Sequence, residues 1–167
     1  FLFSSSYGMC QLMYPTAVSN GFVSNNPLEL FDETTNLNIA ANYLNHLYNR
    51  YPEIRTSHKE RMKFTIAAYN AGRGSINAML RLARAHENKS INSEGEWQNW
   101  DYSKNFLKNI TGNNATITIK HIDRIIDILD NWEVGDIVRE FCEKHTETIE
   151  RLAKNEEMTT QQGVNIL

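Results

Sequence analysis

Residues 64–76 read FTIAAYNAGRGSI. An apolar run carries two adjacent alanines, Ala67 and Ala68, and then presents a phenol and an amide, Tyr69 and Asn70, just ahead of Gly72 and Gly74. Small side chains let a neighbouring backbone come close, and the glycines end the helix. Tyr69 and Asn70 therefore arrive where the chain opens into a loop, a common home for site residues. Upstream, Ser57 and Glu60 have the spacing of a capping box, which predicts a helix start there. Downstream, Ser75 is the expected cap of a further helix with Ile76, Met79, Leu80 and Ala83 on one face.

Outward from this stretch the pattern stays helical. Residues 7–20, beginning YGMCQLMYPT, read as a short helix that Pro15 breaks or kinks. Residues 19–35 are turn-rich and read as a loop. From Asn36 the residues Leu37, Ala41, Leu44 and Tyr48 fall at helical spacing, with Thr34 or Thr35 as the expected N-cap and Pro52 as the stop. Residues 86–103 are polar and irregular and hold Trp97 and Trp100. The TITI of residues 116–119 is either a short strand or the run-in to a helix whose stripe is Ile119, Ile122, Ile126 and Leu129. Gly135 interrupts, and Asp136 is the expected cap of a last helix carrying Ile137, Phe141, Ile149 and Leu152. No run of alternating strands is found, so the expected fold is mainly α with little or no β-sheet. The expected division is a core over residues 1–110 and helices over 111–167, packed on the core or forming a partner surface.

The totals exclude several classes. The 167 residues suit one domain, with or without a small appendage, and with 41% apolar and 22% charged residues they read as globular. A net charge of −3 argues against a nucleic-acid partner, and no apolar run approaches the roughly 20 residues of a membrane span. The opening Phe1-Leu2-Phe3 reads as the middle of a segment, with further sequence expected before it. Two cysteines, Cys10 and Cys142, stand in no metal-like spacing; they are either paired or, as expected here, separate buried thiols. The five histidines are scattered without an HExxH companion, so neither a metal nor a cofactor is expected.

Three stretches taken in order resemble the soluble (SLT) type of lytic transglycosylase, a branch of the lysozyme-like superfamily. The first is Gly8-Met9-Cys10-Gln11-Leu12-Met13-Tyr14-Pro15-Thr16-Ala17, against the family's Gly-Leu-Met-Gln-Leu/Ile-Met-Pro-x-Thr-Ala. The second is Leu30-Phe31-Asp32 with Asn36 and then Tyr43-Leu44; the third is the intact Ala-Ala-Tyr-Asn-Ala-Gly of Ala67 to Gly72. The chain departs from the family at Cys10, Tyr14, Glu33 and Ala40, which replace Met, Pro, Pro and Gly. The resemblance spans about residues 8–84 and implies a lysozyme-like helical domain.

It also implies a chemistry and a set of roles. The partner is a peptidoglycan glycan strand in the bacterial envelope, met by a cell-wall enzyme or a phage virion module. Gln11 lines the sugar groove, Met13 sits in its wall, Asn70 contacts substrate, and Tyr69 supports the catalytic acid. That acid, a single Glu, belongs about fifteen residues before the Gly8 block and is expected ahead of Phe1. Within the chain, Glu29 and Glu33 read as first-turn carboxylates rather than as substitutes. Trp97 and Trp100 either stack on sugar rings or, as expected, anchor their loop to the core. Two other accounts stay open: a non-catalytic peptidoglycan-binding or structural domain that has lost the acid, and plain helical scaffolding in which Gln11 faces solvent and Met13 is core.

Overall fold

Leu12 is buried and Met13 exposed, the in–out alternation of a strand rather than of a helix. The computed structural model, which describes residues 5–131, pairs β1 (Ser6–Tyr7) with β2 (Leu12–Met13) in a small antiparallel hairpin, Ser6 opposite Met13 and Tyr7 opposite Leu12. The helix expected from residue 7 is therefore a hairpin followed by α1 (Tyr14–Ser19). Pro15 lies in the first turn of α1, where its missing N–H leaves no bond unmade, so it starts the helix instead of breaking it.

Among the described residues, every other regular element is helical, in line with the mainly α expectation. Within the expected loop, Pro27–Phe31 forms a 3-10 turn. Helix α2 (Glu33–Tyr48) follows at once, because the Asp32 carboxylate accepts the Thr35 N–H at 2.8 Å. The N-cap is thus Asp32, ahead of the expected threonines; an Asp can accept at this position before the threonines are reached. The buried face of α2 is Asn36, Ile39, Ala40 and Leu47, whereas the expected Leu37 and Leu44 are exposed. This helix has apolar residues on two sides, and periodicity alone does not choose between them.

Helix α3 (His58–Ala71) begins as expected, with the Ser57 hydroxyl accepting the Glu60 N–H at 3.0 Å. The Glu60 carboxylate does not close the box. It binds Lys63 at 2.6 Å and accepts the Trp100 N–H at 2.6 Å, tethering a segment distant in sequence. Gly72 (φ +84) then turns the chain straight into α4 (Arg73–His86), so Ser75 lies inside the first turn rather than at the cap. Its buried residues are the expected Ile76, Met79, Leu80 and Ala83.

Short helices α5 (Trp100–Ser103) and α6 (Lys108–Thr111) lead to α7 (Asn114–Asn131), which absorbs the TITI stretch. Trp97 and Trp100 are 0% and 1% exposed. Trp97 donates to the Ser93 carbonyl at 3.1 Å, and Trp100 meets Phe64 edge-on at 5.5 Å. Both rings are core anchors and neither is free to stack on a sugar. The chain divides into two units, Phe1–Ile126 and Asp127–Leu167. The expected helix after Gly135 and Cys142 lie outside the described residues; Cys10 is a free thiol.

Two apolar clusters hold the first unit together. One gathers Leu47, Tyr51, Ile54, Phe64, Ile76 and Trp100 with their neighbours; the other gathers Tyr7, Leu12, Ala17, Phe22, Leu30 and Ile39. Tyr43 and Tyr69 pack against both, so the two tyrosines form the seam between the cores.

Candidate functional site

Tyr69 leaves α3 in its last turn, with Ala67 and Ala68 fully buried just before it. Its ring lies 5.2 Å from that of Tyr43, and its hydroxyl donates to the Cys10 carbonyl at 2.7 Å. This bond brings the end of α3 onto the hairpin loop, fifty-nine residues earlier. Burial, with smaller contributions from Cys10 and Tyr43, pushes the Tyr69 phenol up to about 12. It therefore stays neutral at physiological pH. With its proton given to Cys10, its oxygen keeps lone pairs for one further donor.

The hairpin loop that receives Tyr69 is held from beneath by Asn36. That side chain is fully buried, yet both ends of its amide have partners. Oδ1 accepts the Cys10 N–H at 2.9 Å, and the NH₂ group donates to the carbonyls of Tyr7 at 3.1 Å and Leu30 at 2.9 Å. Gly8 makes this close approach possible. A Cβ there would fall onto the Asn36 side chain and lie 2.5 Å from the Leu30 oxygen, and its φ of +66 already favours glycine. Gly8 and Asn36, read in the sequence only as matching positions, are thus one device for shaping the loop. The available signal was an amide on the apolar stripe of a helix: Asn36 shares its face with Ile39, Ala40 and Leu47.

Gln11 occupies the loop's last position with φ +52, a left-handed conformation that costs a non-glycine residue about 1–2 kcal/mol. Its exposed amide spans its own hairpin, Oε1 accepting from the Ser6 hydroxyl at 2.9 Å and Nε2 donating to the Gly8 carbonyl at 2.9 Å. One N–H of the amide remains for another partner. Met13, next on β2, is 41% exposed, so its side chain is surface rather than core. Gln11, Met13 and Tyr69 are thus gathered at one hairpin, with Cys10 as the link.

Asn70 is placed differently. Its Oδ1 accepts from the Thr118 hydroxyl of α7 at 2.8 Å. It lines a cavity of about 340 Å³ with Thr111, Asn114, Ile117 and Thr118, to which Gln11 and Tyr69 do not contribute. A second cavity, about 430 Å³, lies over α1, α2 and the start of α4 and includes Tyr43, the ring neighbour of Tyr69. Among the described residues no group of three His, Cys, Asp or Glu side chains is placed to hold a metal ion, and no helix is long and apolar enough to cross a membrane.

The chain matches a family model described as Transglycosylase SLT domain over residues 4–92, just over half its length. The hairpin, the Asn36 clasp, the tyrosine pair and all of α4 fall within that match; Thr118 and the cavity wall it forms lie beyond it. No curated protein and no solved structure matches the chain.

Proposed function

The chain belongs to the transglycosylase SLT domain family, and from that premise we propose that it is the groove-bearing part of a peptidoglycan lytic transglycosylase. The reaction is cleavage of the β-1,4 bond between N-acetylmuramic acid and N-acetylglucosamine with formation of a 1,6-anhydro muramoyl end. The observation that carries this reading is the hydrogen bond from Tyr69 to the Cys10 carbonyl, which joins the third motif to the first.

Cutting a glycosidic bond requires a proton at the leaving oxygen as positive charge develops on the anomeric carbon. One carboxyl group suffices when it first gives that proton and then takes the proton of the muramoyl 6-hydroxyl. The 6-oxygen closes on C1, the ring is completed, and no water is consumed. The carboxyl must begin protonated near neutral pH, which a partly apolar setting favours by penalising the charge. General acid–base help of this kind is worth roughly 10²–10⁴-fold.

In this reading the acid/base Glu stands ahead of Phe1 in sequence. Tyr69, held neutral, offers its oxygen to the protonated carboxyl and orients it. Gln11 gives its remaining amide N–H to an N-acetyl sugar, and Met13 is an apolar part of the groove wall. The cavity at Asn70 has amide and hydroxyl walls and no ionisable lining residue, which suits a neutral sugar. The setting is the bacterial envelope or a phage virion.

The test is mass analysis of the muropeptides released from purified cell walls by the protein with its natural upstream sequence. Anhydro-muramoyl ends are expected. Reducing ends would mean hydrolysis instead. Absence of any product, with the protein still pelleting on walls, would replace the enzyme by a non-catalytic wall-binding domain.

A further inference from the structure

The cavity of about 430 Å³ over α1, α2 and the start of α4 differs in charge from the one at Asn70. Its polar walls are Thr16, Ser19, Asn20, Tyr43, His46 and Arg73, and no Asp or Glu lines it. Arg73 is exposed and, among the described residues, has no ion-pair partner. A guanidinium at the first position of a fourteen-residue helix also faces the positive end of the helix dipole, an arrangement that an anion would relieve.

The remaining groups point the same way. Arg50 Nε donates to His46 Nε2 at 3.3 Å, which sets a second guanidinium against this wall residue. The hydroxyls of Thr16 and Tyr43 make no hydrogen bond within the described residues. A Cβ placed on Gly74 meets nothing within 4 Å, so the space beside Arg73 is open. Pro15 and Leu47 add apolar wall, and the volume suits an organic group of several heavy atoms rather than a bare inorganic ion.

We propose that this cavity is a carboxylate subsite, with Arg73 as the anion-binding residue, that takes the acidic peptide branch of the wall glycan. The choice of branch rests on the glycan-cleaving reading above; the anion-binding chemistry does not. Tyr43 touches both the cavity and the Tyr69 ring, so a branch seated here lies beside the seam where the chemistry is proposed.

The probe is N-acetylmuramoyl-L-alanyl-D-isoglutamine, compared with its neutral amide, by calorimetric titration of the full chain at low salt. The acid is expected to bind on the order of tenfold tighter than the amide, as for one exposed charge-assisted contact. The preference should shrink as salt is added. R73A removes the preference and R73K keeps part of it. G74E, which sets a carboxylate beside Arg73 in a first helical turn, abolishes it while the melting temperature holds or rises. Equal binding of acid and amide, or R73A and G74E indistinguishable from the wild type, would overturn the subsite. Displacement of the probe by inorganic phosphate at equal concentration would overturn the peptide branch as its occupant. These readouts are of binding, so a protein that cuts no glycan yet prefers the acid would sink the catalytic reading alone.

Discussion

Replacing Asn36 with Leu keeps the heavy-atom count and branching of the side chain and removes every hydrogen bond it makes. The Cys10 N–H and the carbonyls of Tyr7 and Leu30 lose their common partner, two of them in fully buried bonds. At about 1 kcal/mol for each net hydrogen bond, the loss is about 3 kcal/mol, and stranded groups that water does not reach raise it further. In a domain of this size each kcal/mol moves the melting temperature by about 2–4 °C, so the variant should melt about 6–12 °C lower. N36D sharpens the test. Its carboxylate would face two carbonyl oxygens in a buried site, which raises the folded-state pKa above the unfolded value of about 3.9. The folded state then holds the proton more tightly. Stability is present below that unfolded value and lost as pH rises through the folded one. Differential scanning fluorimetry from pH 4 to pH 7 should show N36D falling relative to the wild type. A loss under about 2 °C for N36L, together with an N36D curve parallel to the wild type, would refute the clasp.

Three further outcomes follow from the same geometry. Gln11 sits at φ +52, so Q11G should be more stable than Q11A by about 1 kcal/mol in urea denaturation, because both lose the amide but only glycine relieves the backbone. Y69F removes one hydrogen bond and should cost about 1 kcal/mol of stability, while wall-cleaving activity falls by about 10²-fold with an altered pH profile; a fall in activity that only tracks the fraction unfolded would make Tyr69 structural. The hydrogen bonds that Asp32 accepts from Thr35 hold its pKa below the usual carboxylate value, so its contribution is present above the unfolded pKa and lost as pH falls through the folded one. D32N keeps the capping acceptor without the titration and should flatten the fall of melting temperature below about pH 4; a wild-type slope in D32N would exclude Asp32 as its source.

The parts of this protein that depend on short-range chemistry can be read from the residues alone. The Ser57 cap of α3, the buried stripe of α4 and the glycine break between them were legible because they are properties of a few adjacent residues. So were the three motifs, and with them the family. The hairpin at Ser6–Met13 was not legible. Its strands are two residues each, too short for alternation to register, and what stabilises them is Asn36, supplied from another element. The face of α2 was misjudged for the same reason: the loop's backbone groups, not the apolar count, decide which side turns inward. It takes the folded chain to show that Tyr69 reaches Cys10 while its neighbour Asn70 reaches Thr118. Consecutive helical residues point about 100° apart, so adjacency in sequence separates their destinations.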